Sequence, residues 1–194
     1  FPGPSAPGRI PMRITILTLF PRAVRPYLEC SILGRAQESG LVRQEAVDVR
    51  DYALDRHRTA DDTPYGGGAG MVMKAEPLVR AVRALRGEGS RVLLLSPQGE
   101  KLTQNLAKRL AAEKHLILVC GHYRGVDERV RGLAVDQEVS VGDYILSGGE
   151  PAALVVADAV ARMVAGVVGD AEYAEAGSFM DGDLDHAQYT RPEE

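Results

Sequence analysis

Five stretches of this chain carry residue types and spacings that could do chemistry. In VGDYILSGGEP (141–151) side chains are missing at Gly142, Gly148 and Gly149, so main-chain N–H and C=O groups could approach a ligand directly. Turn geometry alone would ask for the same glycines. YGGGAG (65–70) contains the glycine spacing of dinucleotide-binding folds, yet no strand precedes it, and it reads as a flexible or substrate-covering loop. DRHRTADD (55–62) sets Arg56, His57 and Arg58 beside Asp55, Asp61 and Asp62. A lone histidine at that spacing makes a poor metal site, so the run reads as solvated charge, with phosphate contact through Arg56 and Arg58 as the sharper alternative. Cys120 and His122 are the pair of types that nucleophilic catalysis uses, but no orienting third group is visible and His122 reads as a pocket-rim residue. Asp158 and Arg162 stand four apart in the otherwise apolar stretch 152–164. They read as a structural ion pair, or as a functional arginine, since an unpaired one there is costly.

The elements that must position these residues follow from the hydrophobic pattern. RITILTLF (13–20) reads as a buried strand stopped by Pro21, 22–40 as a helix ending at Gly40, and EAVDV (45–49) as a second strand. A polar, glycine-rich loop spans 50–70; loops of about twenty residues are uncommon and usually functional or disordered. EPLVRAVRALRG (76–87) puts Leu78, Val79, Val82 and Leu85 on one helical face. VLLLSPQG (92–99) and LILVCGHYRG (116–125) are continuous apolar strands that break into small loops. Between them LTQNLAKRLAAEK (102–114) is amphipathic through Leu102, Leu106 and Leu110. YILSGG (144–149) is a third apolar run ending in glycine, and Pro151 opens a helix without a polar face, to be buried in the core or against another subunit.

Strands without alternation, separated by helices, predict an α/β fold with a parallel sheet. Ligands bind such sheets beyond the carboxyl ends of the strands, so the loops at 96–99, 121–125 and 147–150 are expected to share one pocket.

Composition bounds the rest. The 194 residues suit one domain, with 45% hydrophobic and 26% charged residues, and no apolar run reaches the roughly 18 residues of a membrane span. The expectation is a soluble, cytoplasmic protein with no membrane partner. A formal charge of −4 argues against a dedicated nucleic-acid binder. Cys30 and Cys120 are too few for a disulfide framework and read as reduced thiols. Residues 1–11, with four prolines and two glycines, read as a disordered extension, and folding is expected from Met12.

Taken together, TPYGGGAGMVM (63–73), LLLSPQG (93–99), LILVCGHYRGVDERV (116–130), VSVGDYILSGGEPAALVVADAVARMVAGVVG (139–169) and HAQYTRP (186–192) fall in the order and spacing of one family. The chain resembles the TrmD family of bacterial tRNA (guanine-N1)-methyltransferases from Met12 to Pro192. That resemblance implies a SPOUT-type parallel sheet with a C-terminal trefoil knot over 12–169, and the start of an interdomain linker at 170–194. It implies a homodimer whose active site spans the interface. S-adenosylmethionine would be held by Leu95, Ser96, Pro97, Gln98 and Gly99, by Gly121 and Tyr123, and by Val141, Gly142, Asp143, Tyr144, Ile145, Leu146, Gly148 and Gly149. The methyl would pass to N1 of the guanosine 3′ of the anticodon, following another guanosine.

Arg162 matches the catalytic arginine that stabilises charge at guanine O6. Three departures from the family pattern stand out. Gly177 occupies the place of the catalytic aspartate, and Asp181 and Asp185 are the substitutes, Asp185 being assigned the role of base. Arg124 replaces an acid in the Y-E-G triplet, so any part of that acid in the family's Mg2+ dependence does not transfer. The chain also stops where the family continues into a helical tRNA-gripping domain, so weak tRNA binding and little turnover are expected. A non-catalytic RNA-binding or dimerisation module of the same fold is the alternative.

Overall fold

The computed structural model describes residues 11–168 together with 179, 184, 187 and 189–191. A five-stranded sheet, parallel throughout, forms the centre. Its strands are β1 (Met12–Thr18), β2 (Val42–Asp48), β5 (Ser90–Lys101), β6 (His115–Cys120) and β7 (Gln137–Ser140), in the order β2-β1-β6-β5-β7. The two-residue strands β3 (Asp61–Asp62) and β4 (Val72–Met73) pair antiparallel apart from it. The helices are α1 (Pro21–Leu28), α2 (Ser31–Glu38), α3 (Ala75–Leu85), α4 (Gln104–Leu110), α5 (Arg129–Ala134) and α6 (Glu150–Ala161).

Alternation of side chains across the central strands explains their unbroken apolar sequence. Leu116, Leu118 and Cys120 of β6 join one core with α1, α2, α4 and α6, while Ile117 and Val119 join a second core with α3 and α5. Both faces of the sheet are therefore covered, as the continuous runs required.

Several expected elements differ in detail. The helix expected over 22–40 is two helices, broken at Glu29 and Cys30; Ser31 takes a φ of 53° and α2 folds back so tightly that a Cβ on Gly34 would lie 2.8 Å from the Glu29 carbonyl carbon. Strand β2 begins at Val42, in register with Met12, rather than at Glu45. The amphipathic stretch 102–114 is helical only over α4, whose start is capped by the Thr103 hydroxyl accepting from the Leu106 N–H. YILSGG is no strand. The third strand is β7, and 144–149 follows it as a loop with Tyr144 and Ile145 exposed, because no sheet neighbour remains to cover them. Helix α6 buries Ala152, Ala153, Val156, Ala157, Val160 and Ala161, whereas Val155 stays 49% exposed, so the core covers only one side of it. Among the described residues no helix is long and apolar enough to cross a membrane.

Candidate methyl-donor cavity

Strand β5 makes the first wall by leaving the sheet and returning. Leu95 pairs with Val139 and Glu100 pairs with Val139 again, so the residues between them bulge outward. Gly99 is required there: a Cβ on it would overlap the Glu138–Val139 peptide. The second wall follows β6, where Gly121 opens a turn closed by the Gly125 N–H donating to the His122 carbonyl at 3.0 Å. Tyr123 in this turn takes φ 60°, a conformation that side chains other than glycine adopt at a cost. The third wall is the loop after β7, returned to the second by the Gly149 N–H donating to the Gly121 carbonyl at 2.8 Å.

These three walls enclose one cavity of about 230 Å³. It is lined by Leu95, Ser96, Pro97, Gly121, Tyr123, Val141, Gly142, Tyr144, Ile145, Leu146, Gly148 and Gly149 among the residues singled out from sequence. Three others of that set do not line it. Gln98 turns to Arg131, accepting from Nη2 at 2.8 Å; Gly99 packs on β7; Asp143 is taken by Lys101, whose Nζ donates at 2.7 Å. His122 lines the cavity as well, in keeping with its reading as a pocket-rim residue. Sequence reasoning passed over Arg124, Gly125, Val139, Ser140, Ser147 and Ala152, which also line the cavity. Three of these lie inside the loops it named; Val139 and Ser140 were hidden because the third strand was placed a few residues late.

The glycines do less for a ligand than their pattern suggested. A Cβ on Gly149 would stand 2.8 Å from the Cys120 Cα and 3.0 Å from the Gly121 nitrogen, and one on Gly142 would overlap the Tyr144 ring. Their missing side chains make room for the protein itself. Gly121 differs, since its nearest neighbour would be Val126 Cγ2 at an ordinary 3.4 Å.

Beneath the cavity lies a polar cluster built from three segments. The buried Glu150 carboxylate accepts from the Thr18 hydroxyl at 2.6 Å, and its other oxygen is 3.9 Å from Nδ1 of His122. That Nδ1 is buried without a hydrogen-bond partner. The His122 ring sits between Phe20, 5.0 Å away, and the edge of Tyr123 at 4.9 Å. Burial, and then the Glu150 charge, push the Cys120 thiol well above its ordinary range. Cys120 is therefore a protonated core residue, and the nucleophilic Cys-His reading falls.

The other sequence motifs resolve similarly. In the charged run Arg58 pairs with Asp51, and Asp55 is held below the usual carboxylate range by hydrogen bonds from the Thr59 hydroxyl and N–H. YGGGAG follows the two-residue strand β3, where no strand was expected, after Thr63 and Pro64, and it opens no helix, which excludes a dinucleotide fingerprint. Asp158 and Arg162 make no ion pair among the described residues. Arg162 is exposed at the far end of α6, about 15 Å along the axis from the cavity-lining Ala152 at a rise of about 1.5 Å per residue. Asp185, Asp181 and Gly177 lie outside the described residues. Among the described residues no group of three His, Cys, Asp or Glu side chains is placed to hold a metal ion.

Comparison with known proteins gives concordant results. Residues 12–194 match the family model described as tRNA (Guanine-1)-methyltransferase TrmD. The chain is 55% identical over 181 residues to the tRNA (guanine-N(1)-)-methyltransferase of Carboxydothermus hydrogenoformans, covering 93% of this chain and 72% of the relative. It is 57% identical over 187 residues to the enzyme of that name from an Anaeromyxobacter species, covering 94% of this chain and 75% of the relative. Among solved structures, the tRNA (m1G37) methyltransferase from Aquifex aeolicus superposes with a TM-score of 0.80 at 39% identity, over 95% of this chain and 78% of that one.

Proposed function

The chain belongs to the tRNA (guanine-1)-methyltransferase TrmD family, and from that premise we propose that its three-walled cavity takes S-adenosylmethionine and that a second copy of the chain completes the site around a tRNA guanine. The protein is a tRNA (guanine-N1)-methyltransferase. Relatives bearing that name at 51–57% identity do not favour the alternative of a non-catalytic module.

The residues present fit the methyl donor. Apolar side chains of Leu95, Pro97, Val141 and Ile145 stand beside exposed main-chain groups, Gly121 leaves its side-chain space open, and the orphaned His122 Nδ1 is a buried polar atom for a ligand to satisfy. When bound, S-adenosylmethionine supplies a methyl carbon made electrophilic by its sulfonium. The chain's own work is to orient and to move a proton. The walls hold the donor at a fixed angle and exclude water, the source of a large part of such rate enhancements. Arg162 supplies the cation for charge developing on guanine O6. Asp185 is the group assigned to take the N1 proton, a contribution of about 10²–10⁴-fold for a positioned base.

Arg162 stands too far along α6 to serve the cavity of its own chain, so the partner copy must bring it. The half-covered α6, with Val155 at 49% exposure beside Leu154, and the exposed Ile145 at 81% supply the apolar surface for that homodimer. The trefoil knot belongs to this reading too, supported by the bulge that returns β5 to Val139 and by the tie between Gly149 and Gly121. The target is the guanosine 3′ of the anticodon, in the cytoplasm where tRNA is. The magnesium implied by the resemblance finds no ligand set among the described residues.

The observation that carries the proposal is the convergence of three separate sheet-edge loops on one cavity. Two assays test it, on this chain and on one extended to its relatives' length. Calorimetry with S-adenosylhomocysteine is expected to give one site per chain. Transfer of labelled methyl to unmodified tRNA should put N1-methylguanosine 3′ of the anticodon and nothing where that base is adenosine. Label on another atom, or no S-adenosylhomocysteine binding by either form, refutes the proposal.

A further inference from the structure

Arg124 lines the donor cavity, yet its side chain reaches another segment. Its Nη1 donates to the Ala69 carbonyl at 2.9 Å, and its own N–H donates to the Met71 carbonyl at 3.1 Å. The rest of the side chain fills the space over two glycines: a Cβ on Gly68 would come within 3.1 Å of Nη1, and one on Gly70 within 3.0 Å of Cδ. Both glycines are left-handed, at φ 112° and 86°, so the loop curls around the arginine in a shape other residues resist. Among the described residues, the hydrogen bonds that leave segment 64–71 all end on Arg124.

Just beyond, Met73 exchanges bonds with Gly125 and Asp127, each at 3.0 Å, which anchors the far end of the loop to the same turn. On its other side the loop borders a larger cavity of about 1070 Å³, lined by Tyr65, Gly66, Val126 and Asp127. The glycine-rich loop and the 121–127 turn thus form a shared partition, pinned by backbone at Met71 and Met73 and by a single side chain at Ala69. The turn being pinned is the one that carries Tyr123 at positive φ, a strained conformation that persists only where its surroundings hold it.

We propose that Arg124 is a positioning residue that clasps the 64–71 loop onto the wall of the donor cavity, coupling the order of that loop to affinity for the methyl donor. The coupling rests on the reading of the cavity as the S-adenosylmethionine site; the clasp itself does not. A charged donor on a carbonyl is a strong tie of its kind. A carboxylate at this position could only repel the Ala69 oxygen.

Chymotrypsin cleavage after Tyr65, which is fully exposed, reads loop release, and calorimetry with S-adenosylhomocysteine reads the coupling. Arg124→Ala and Arg124→Glu are expected to raise the cleavage rate about tenfold and weaken S-adenosylhomocysteine binding by about three- to tenfold, the size of one lost solvent-exposed hydrogen bond. Arg124→Lys, which keeps a donor, should recover much of both. Cleavage that does not change in Arg124→Ala and Arg124→Glu overturns the clasp, and faster cleavage with unchanged affinity overturns the coupling. Equal losses in Arg124→Lys and Arg124→Ala also overturn it, since a charged donor on a stem of similar length would then contribute nothing. Failure of the unsubstituted chain to bind S-adenosylhomocysteine counts against the cavity reading, while the cleavage rates still judge the clasp.

Discussion

Replacing Gly149 by alanine separates two reasons for a glycine at a cavity wall. If the missing side chain served a ligand alone, the fold would accept a methyl group. The structure says otherwise, since the added Cβ would sit 2.8 Å from the Cys120 Cα and 3.0 Å from the Gly121 nitrogen, both backbone atoms. Reaching ordinary contact at 3.4 Å takes a shift of about 0.6 Å at the start of α6 or the end of β6. Cys120, Ala152 and Ala153 are buried where the two segments meet, so the shift has to be made inside the core. Overpacking of this kind costs about 1–3 kcal/mol. For a chain of this length each kcal/mol lowers Tm by about 2–4 °C, so Gly149→Ala should melt roughly 2–12 °C lower. Gly121→Ala is the control, because its Cβ would meet only Val126 Cγ2 at 3.4 Å. It should keep the parent Tm within about 1 °C, as a substitution without a clash does, and weaken S-adenosylhomocysteine binding by filling the cavity wall. Thermal unfolding by circular dichroism, with calorimetry on both variants, decides the matter. A Gly149→Ala protein as stable as its parent, or a Gly121→Ala protein equally destabilised, would refute the packing argument.

Further outcomes are expected. Arg162→Ala should lower kcat by about 10²–10³-fold with Tm within about 1 °C of the parent, because Arg162 is exposed and unpaired among the described residues; a kcat within threefold would remove it from the mechanism. Iodoacetamide should label Cys30 alone in the folded protein and Cys120 only after unfolding, as its buried thiol is held protonated; two labels under native conditions, read by mass spectrometry, would contradict the packing there. Buried His115 is hydrogen-bonded to Thr15 at 2.9 Å and Ser90 at 2.8 Å, and burial, followed by the nearby Arg13 charge, pulls its pKa below 6.5. The unfolded chain then binds more protons, so stability should be full above pH 6.5 and fall as pH drops below it. Urea midpoints measured against pH should show this slope, reduced in His115→Asn; an unchanged slope in that variant would rule His115 out as its source.

Local pattern was sufficient for some of this. Unbroken apolar runs such as VLLL and LILVC, short and bounded by small polar loops, read as strands buried on both faces, so the parallel α/β class and the loops at strand ends could be read without coordinates. Motif order over most of the chain was specific enough to name the family. What local pattern reports, however, is which residues are buried, not what they are buried against. YILSGG has the composition of a strand and no neighbour to pair with, while QEVS, far less apolar, pairs with β5. Gly99, Gly142 and Gly149 look alike to Gly121 in sequence. Only the approach of β7, Tyr144 and the end of β6 makes the first three a packing need, and only the open space beside Gly121 leaves it for a ligand.

The chain by itself thus determined the fold class, the three loops and the family, because burial periodicity and motif spacing are properties of neighbours along the backbone. Tertiary structure decided that Arg124 reaches Ala69 across 55 positions of sequence, that Glu150 lies against Thr18 across 132, and that Arg162 ends up remote from the cavity of its own chain. Those pairings depend on where the sheet's crossovers bring distant segments together, which no window of residues encodes.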